Sequence, residues 1–413
     1  MTLASVAQAQ RAALALAGPV TRTERVGIAD AAGRILAAAA SAQWDLPGAD
    51  VSIMDGWAVR AGDIAAARAC GNVVTLQIVG ESAAGHPAKR ALQAGEAMRI
   101  STGAVVGDGA DAVIAQEDTR RDGDTLIIEA SAGEVVPGTF VRPRGREVAR
   151  GQRIAEPGDL LAAPDIAALA GAGCFEVEVF ARPRVAILST GDELVPIGTT
   201  PRPGQVVSSN GAMLAAAVIE AGGIPLPLPD TLDDPAALRA VVDGARAADV
   251  FLSCGGISVG DHDHMLDVVT ELGGEVTLRG VALRPGKPTT FARLGDMACV
   301  LLPGNPASAW VTFELFVHPL LVRRSGRSGP AVRPTREVTL GATARGAGGR
   351  AHYLRARLSA DGVATPLSVQ QSGDLCSLVG VDALVIVPPG VSQIAAGDRA
   401  QAIVLRTPSV DPS

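Results

Sequence analysis

The first half of the chain passes from helical spacing of its apolar positions to short strand-like runs. The spacing predicts a helix over about 6–16 and a second helical stretch over 28–40, before a polar turn at 44–48. From 51 to about 142, short apolar runs are separated by Gly-rich turns, which predicts a small β-rich domain. Its clearest predicted strands are 73–79, 112–115 and 125–129.

A helix over 164–172 and a strand over 175–179 lead to a region in which strands and helices alternate. This alternation predicts βαβ units and a parallel sheet in one α/β domain over roughly 182–322. The predicted strands are 185–188, 225–228, 250–254, a run around Val276, 289–293 and 299–302. The predicted helices are 210–221, 236–247, 265–272 and 305–321.

After a basic linker at 323–327 the pattern returns to strand-like runs. The runs at 338–340, 353–358 and 384–387 predict a small β domain at the C-terminal end.

Composition narrows the classes of protein that the chain can belong to. A length of 413 residues suggests two to four domains, and a net charge of −7 argues against general affinity for nucleic acid or anionic membranes. No apolar run approaches the ~20 residues that span a bilayer, so a cytoplasmic protein is expected. Five cysteines without a CxxC pair predict reduced thiols rather than a disulfide framework or structural zinc.

Candidate chemistry follows the predicted strands of the α/β domain, where helix N-termini and free amides converge at the carboxyl edge of the sheet. Ser189–Glu193 follows the first strand, and a Gly-rich run, 255–264, follows the third. Two proline turns, 284–288 and 302–306, add cationic or amide-rich corners that suit an anion. The run at 255–260 has neither the dinucleotide spacing nor the P-loop lysine, which disfavours NAD and ordinary NTPase chemistry.

Each of these elements also has a purely structural interpretation. The glycines suit tight turns, and Asp233 suits the start of a helix. His262 and His264 are more simply solvated loop residues than metal ligands, because no second histidine cluster accompanies them. Asp192 and Glu193 are better suited to Mg²⁺, which favours one or two carboxylates together with substrate phosphates.

Eight motifs occur in an order that resembles the MoeA/gephyrin E-domain family, the molybdopterin molybdenumtransferases, over essentially the whole chain. They are Met54–Gly56, Arg99–Ala104, Gly109–Asp111, Ser189–Leu194, Ser208–Asn210, Gly255–Asp263, Pro285–Pro288 and Leu302–Pro306. The resemblance implies a multidomain α/β plus β fold with a central doubly wound domain. The four implied parts are a discontinuous N-terminal linker domain (1–47 plus 144–181), a β-rich inserted domain (48–143), an α/β molybdopterin-binding domain (182–325) and a C-terminal β domain (330–409).

The resemblance also implies a reaction and its partners. Adenylylated molybdopterin and molybdate would be the substrates, the adenylate would be cleaved in an Mg²⁺-dependent step, and molybdenum would remain on the dithiolene sulfurs. The enzyme would be a homodimer in which the inserted domain of one subunit completes the cleft of the other. It would meet the molybdopterin adenylyltransferase transiently, and it would bind neither nucleic acid nor membrane.

Family roles carry over to this chain residue by residue. The implied catalytic residues are Glu193, Asp233 and Asp263, with Asp55 and Thr102 from across the dimer and Glu147 in place of a family aspartate. The implied substrate-binding residues are Gly255, Gly256, Ser258, Gly260, Pro303, Gly304, Asn305 and Pro306. The implied molybdate contacts are Arg284, Lys287, Ser308, Arg355 and Ser372, and the implied metal ligands are Asp192, Glu193 and Asp263.

Besides Glu147, two positions depart from the family pattern, and two alternative functions accompany this assignment. A family lysine is replaced by Gly280, so that Arg279 either substitutes from the adjacent position or one anion contact is missing, and Trp57 replaces a tyrosine. One alternative function is adenylyl transfer from ATP to molybdopterin, which the three additional domains disfavour. The other is a non-catalytic pterin carrier or scaffold, which the intact acidic set disfavours.

Overall fold

The computed structural model describes residues 3–18, 20–232, 234–256 and 264–406. The N-terminal part begins with helix α1 (Val6–Leu16), whose Ser5 and Gln8 form a reciprocal capping box. Two further helices are α2 (Ala61–Ala69) and α3 (Ala163–Gly171). The strands of this part are β1 (Thr23–Gly27), β2 (Ala40–Ser41), β3 (Val51–Ser52), β4 (Gly56–Val59), β5 (Thr75–Ser82), β6 (Glu96–Ile100), β7 (Ala112–Ala115), β8 (Thr119–Asp122), β9 (Thr125–Ile128), β10 (Val141–Arg142), β11 (Arg153–Ala155) and β12 (Glu176–Phe180).

The inserted region is built on a six-stranded sheet in the order β7-β4-β6-β5-β9-β8. Alternate apolar side chains of these strands pack with Ile64 of α2 into a separate core around Trp57 and Leu126. Short antiparallel pairs, β1 with β12, β2 with β11 and β3 with β10, join the chain before the insertion to the chain after it. The inserted sheet therefore has its own core and is connected to the remainder by paired strands.

The α/β region contains helices α4 (Ser209–Glu220), α5 (Pro235–Gly244), α6 (His264–Glu271), α7 (Pro306–Thr312) and α8 (His318–Arg324), with a π-helical segment, Phe313–Val317, between the last two. Its strands are β13 (Arg184–Ser189), β14 (Leu194–Val195), β15 (Val206–Val207), β16 (Ile224–Pro227), β17 (Val250–Cys254), β18 (Glu275–Arg279), β19 (Leu283–Arg284), β20 (Thr290–Leu294) and β21 (Met297–Leu302). The sheet order is β16-β13-β17-β21-β20-β18.

The C-terminal strands close into a small barrel. They are β22 (Thr335–Leu340), β23 (Ala344–Arg345), β24 (Ala351–Leu358), β25 (Val363–Pro366), β26 (Ala383–Val387), β27 (Gln393–Ile394) and β28 (Arg399–Val404). Pairing of β24 with β26 closes the ring that runs β24-β25-β22-β28-β26. Strand β19 of the α/β region joins this barrel by pairing in parallel with β24, which sets Arg284 beside His352.

One hydrophobic core continues from the α/β region into the barrel. It contains Leu16 of α1, Phe291 and Phe316 from the α/β region, and Tyr353 and Leu384 from the barrel. Continuous burial of this kind fixes the relative placement of packed elements, because each would expose apolar area if they separated. The loops of the two regions that face one another are therefore held on a common support.

The fold class predicted from the sequence is confirmed, but three details of the prediction are wrong. The stretch 28–40 is not a helix. Ile28–Asp30 forms one 3-10 turn, Gly33 has a φ of +72°, and Ile35 and Leu36 bridge to neighbouring strands. Tertiary pairing and the positive φ thus overrode the helix propensity of an Ala-rich segment.

The other two corrections concern the inserted region and the central sheet. The inserted region contains helix α2, which the strand-like interpretation omitted. The central sheet is not wholly parallel, because β20 and β18 run antiparallel to their neighbours beyond β21. Within the described ranges, no helix is both long and apolar enough to cross a membrane.

Candidate active site

A cavity of about 550 Å³ opens at the carboxyl ends of the central parallel strands. Strands β13, β17 and β21 are in register there, with Ser189 opposite Cys254 and Cys254 opposite Leu302. The loops that leave these strands line the cavity, together with the N-terminus of α4. From the predicted set, the cavity brings together Glu193, Gly255, Gly256, Gly304, Asn305 and Pro306.

Gly255 lets two of these loops approach each other closely. Its φ is +104°, and a Cβ atom at this position would lie 2.2 Å from the backbone oxygen of Thr190. A Cβ on Gly304 would in turn meet the Cα atom of Gly255 at 3.4 Å. A side chain is therefore excluded at Gly255, whereas Gly304 is only in ordinary contact with it.

Asn210 ties helix α4 to the floor of the cavity. Its Nδ2 donates to the carbonyl oxygen of Gly304 at 2.7 Å and lies 3.1 Å from the Cys254 Sγ. The Cys254 thiol itself donates to the carbonyl oxygen of Pro303 at 3.3 Å. Burial raises the pKa of this thiol to about 12, so that Cys254 stays protonated and serves packing rather than nucleophilic chemistry.

A second cavity, of about 400 Å³, lies where the α/β region meets the barrel, and we call it the anion cavity. Three cationic side chains line it, Arg284, Lys287 and Arg350, and none of its lining residues within the described ranges is acidic. In the part of the chain that the structure describes, none of these three cations forms an ion pair. The remaining lining residues are Pro285, Gly286, Pro288, Ser308, Gln370, Gln371 and Ser372.

The turn that carries Arg284 and Lys287 has a conformation that requires glycine. Gly286 has a φ of +113°, and a Cβ atom there would lie 2.3 Å from the Cγ2 of Thr312. The carbonyl oxygen of Gly286 accepts the Thr289 hydroxyl at 2.8 Å, and that of Lys287 accepts the Val281 amide at 2.9 Å. The backbone of the turn is thus fixed, while the Arg284 and Lys287 side chains are exposed.

Arg355 was predicted to contact molybdate, but it does not line the anion cavity. Its side chain is 0% exposed, and its Nη2 donates to the carbonyl oxygens of Val369 and Gln371 at 3.2 and 3.1 Å. Burial lowers the pKa of this guanidinium, and the charge of Asp374 acts in the opposite direction. Arg355 therefore holds from behind the loop that supplies Gln370, Gln371 and Ser372 to the cavity.

Arg350 is the lining residue that the sequence analysis missed. It follows the Gly348-Gly349 pair in the tight turn immediately before β24, whereas Arg355 lies within that strand. The signal that could have found it is its position at a strand end, beside a Gly-rich turn, where side chains leave the barrel. Because Arg350 precedes β24, the alternation of that strand does not assign its side chain to a face.

Three further predicted residues lie outside both cavities of their own chain. In the inserted region, the Asp55 carboxylate accepts the Thr102 amide at 2.8 Å, and both residues are exposed. The Glu147 carboxylate accepts a bond from the Arg142 guanidinium at 2.8 Å, and each side chain is about half exposed. The structure thus brings Asp55 and Thr102 together, but it does not bring them or Glu147 to the lining of either cavity.

Four predicted site residues, namely Asp233, Ser258, Gly260 and Asp263, lie outside the described residues. Asp192 is exposed next to Glu193 and does not line the larger cavity. Within the described ranges, no group of three or more His, Cys, Asp or Glu side chains could hold a metal ion.

The two departures from the family pattern can be located as well. Arg279, at the end of β18, is exposed and is not among the residues that line the anion cavity. Trp57 is 5% exposed, and the guanidinium of Arg99 lies 5.4 Å from its ring centroid. The tryptophan therefore keeps an aromatic side chain in the core of the inserted sheet.

Family models and relatives cover nearly the whole chain. The model of the MoeA N-terminal region (domains I and II) matches residues 4–173, that of the probable molybdopterin-binding domain matches 186–323, and that of the MoeA C-terminal region (domain IV) matches 337–405. The molybdopterin molybdenumtransferase of Nostoc is 41% identical over 308 residues, which cover 74% of this chain and 70% of the relative. Molybdopterin molybdenumtransferase 2 of Mycobacterium tuberculosis is 34% identical over 96% of each chain. The crystal structure of the molybdopterin biosynthesis MoeA protein from Pyrococcus horikoshii matches with a TM-score of 0.85 and 31% identity, over 98% of this chain and 100% of the other.

Proposed function

Because the chain belongs to the MoeA family of molybdopterin molybdenumtransferases, enzymes of molybdenum cofactor biosynthesis, we propose that it transfers molybdenum from molybdate to adenylylated molybdopterin with release of AMP. The observation that carries this proposal is the pair of adjoining cavities. One is lined by glycine-rich loops and Glu193, and the other by three cations and, among the described residues, by no carboxylate. A cavity of about 550 Å³ with a carboxylate at its rim, beside a cationic cavity of about 400 Å³, suits a bulky ligand and a dianion.

The anion cavity has the chemistry to receive molybdate. Arg284, Lys287 and Arg350 compensate the two negative charges, and hydrogen bonds to a charged group contribute about 1.5–3 kcal/mol each. Ser308 and Ser372 add hydroxyl groups that can donate to the remaining oxygens. In this assignment Ser308 and Ser372 orient the tetrahedral anion, and the cations provide its binding energy.

The larger cavity would receive the pterin and its adenylate. Backbone amides of Gly255, Gly256 and Gly304 can approach a phosphate closely because no side chain intervenes. Glu193 lies at the rim, where its carboxylate can orient a water molecule that attacks the phosphoanhydride between the two phosphates. The bond from the water oxygen to phosphorus would form as the phosphoanhydride bond breaks, the water proton would pass to solvent, and AMP would depart. Pro303 and Pro306 give the wall a fixed backbone.

The carboxylate groups near this rim are ligands of the chemical type that Mg²⁺ prefers. Asp192 and Glu193 are adjacent, exposed carboxylates, and oxygen ligands from one or two carboxylates plus substrate phosphates are those that Mg²⁺ prefers. We assign Asp192, Glu193 and Asp263 as the residues that would hold it. A bound Mg²⁺ would neutralise charge on the departing phosphate.

We further propose that Asp55 and Thr102 act in the cavity of a second copy of the chain. The two residues are joined by a hydrogen bond, are exposed, and lie apart from both cavities of their own chain. A homodimer that places the inserted region of one subunit over the cleft of the other would give them a function. A transient complex with the molybdopterin adenylyltransferase would supply the adenylylated substrate.

AMP release tests the proposed function. Purified protein incubated with adenylylated molybdopterin, molybdate and Mg²⁺ should release AMP, and Glu193→Ala should reduce the rate at least tenfold. The matched control is Glu275→Ala, which removes an exposed carboxylate on β18 that does not line either cavity. A wild-type protein that releases no more AMP than Glu193→Ala would refute the proposal.

A further inference from the structure

The two cavities meet at one contact between the α/β region and the barrel. Asn305 lines the larger cavity, and Ser372 lines the anion cavity. The Asn305 Nδ2 donates to the Ser372 Oγ at 3.1 Å, and the Ala307 amide donates to the Ser372 carbonyl oxygen at 3.0 Å. The wall between the cavities is therefore fastened by a side-chain bond and a backbone bond to the same serine.

The side chain of Asn305 does not cap its own helix, α7. Asn305 is the N-cap of α7, a position at which asparagine ordinarily accepts a hydrogen bond from an amide in the first turn. No such bond forms here. Instead, the Asn305 amide group donates to the barrel, and the Ala307 amide finds its acceptor in Ser372. Ser372 thus takes over part of the capping of a helix that belongs to another region.

The loop that carries Ser372 is also held on its far side. Arg355 donates to the carbonyl oxygens of Val369 and Gln371, and the Gln370 Nε2 donates to the Arg355 carbonyl oxygen at 2.8 Å. These bonds anchor the loop to β24 of the barrel. The bond from Asn305 adds the connection that sets its position relative to the larger cavity.

Resting on the proposed function, we propose that Asn305 is a positioning residue for the transfer between the two cavities. By holding Ser372 at their shared wall, it sets the distance between the anion in one cavity and the acceptor in the other. A residue in this role affects kcat, the rate with both substrates bound, more than it affects binding of the anion. The reason is that the positions of the cations that bind the anion do not depend on Asn305.

A double-mutant cycle in the complete protein tests this proposal. Asn305→Ala should lower the kcat of molybdate-dependent AMP release at least tenfold and change the molybdate KM less than threefold. Ser372→Ala should lower kcat and raise KM. If both act through one bond, the kcat of the double variant should lie within twofold of the poorer single variant. The backbone bond from Ala307 involves neither mutated side chain, so we expect it to weaken but not to break, and the fold to be retained.

Two results would overturn the proposal, namely a kcat of Asn305→Ala within twofold of wild type, or a double variant whose loss is the product of the two single losses. A wild-type protein that releases no AMP would refute the proposed function instead. The role of Asn305 would then be decided by hydrogen exchange without substrates. The Ala307 amide should exchange at least fivefold faster in Asn305→Ala, and an unchanged rate would overturn the proposed contact.

Discussion

At the scale of single residues, Arg350 and Arg355 have different roles, one in binding the anion and the other in supporting the cavity wall. Arg350 lines the anion cavity, whereas Arg355 is buried behind the loop that forms one of its walls. We predict that Arg350→Ala raises the molybdate KM at least tenfold without changing the melting temperature, because it removes one of three compensating charges. Lys287→Ala should behave in the same way and should leave pterin binding unchanged.

Arg355→Ala should have the opposite profile. The substitution leaves the carbonyl oxygens of Val369 and Gln371 without their donor and opens a cavity, so we expect a loss of about 3 kcal/mol in the free energy of unfolding. Urea denaturation measures this loss, and a molybdate titration of AMP release measures KM. A stable Arg355→Ala protein with a raised molybdate KM would restore the original assignment of Arg355 as an anion contact.

The sequence predicts which cationic residues line the anion cavity only where a turn fixes the backbone geometry. The Pro-Gly-Lys-Pro turn predicts Arg284 and Lys287 as lining residues, because Gly286 and two prolines leave the backbone few conformations. Arg350 lies in the turn before β24 and Arg355 lies within the strand, and only the folded structure shows that Arg350 lines the anion cavity while Arg355 is buried. That distinction arises from tertiary packing and has no local signal.

At the scale of elements, the parallel strands β13, β17 and β21 create the cavity by ending together, and Gly255 permits their loops to meet. We predict that Gly255→Ala costs about 3 kcal/mol or more, because its Cβ would meet the Thr190 backbone oxygen. Gly295→Ala is the matched control. Gly295 also has a positive φ, of +61°, but nothing lies within 4 Å of a Cβ there, so about 1 kcal/mol is expected. Equal losses in thermal denaturation would contradict this account.

The helical segment from α7 to α8 contains a histidine, His318, whose protonation makes the stability of the protein depend on pH. Burial, followed by the charges of Arg333 and Arg327, lowers the pKa of His318 to about 4. The unfolded chain takes up this proton near pH 6.5. The stabilising contribution of neutral His318 is therefore complete above pH 6.5 and is lost as the pH falls toward 4, by about 3 kcal/mol.

His318→Gln should flatten this acid limb of the stability curve. Burial raises the pKa of the neighbouring Glu314, which works in the opposite sense, but that group is present in both proteins and cancels in the comparison. Urea denaturation at pH 4.5 and 7 gives the required free energies. An identical pH dependence in both proteins would show that His318 titrates normally.

The sequence predicts the secondary structure of strongly periodic elements well, but it does not predict that of the Ala-rich stretch 28–40. The alternation of strands and helices from Val185 onward depends on burial patterns that repeat over many residues. The stretch 28–40 instead forms bridges to strands that are distant in sequence, such as Leu36 with Val179. Long-range pairing of this kind has no local signature.

At the scale of the whole molecule, the proposed dimer makes a prediction about mixed subunits. Asp55→Ala and Glu193→Ala should each be inactive alone, because each removes part of every site. Mixed after dissociation and reassociation, they should recover about a quarter of the wild-type rate, since half of the dimers are mixed and each has one intact site. No recovery in a sample shown to contain mixed dimers would contradict a site shared between subunits.

The proposed function depends on two adjoining cavities that hold two different substrates. Molybdenum scatters anomalously, so a crystal soaked in molybdate locates the anion directly. We predict a molybdenum peak within the anion cavity, in contact with Arg284, Lys287, Arg350 and Ser372 and not with Arg355. A peak confined to the larger cavity, or no peak at a molybdate concentration that supports turnover, would contradict it.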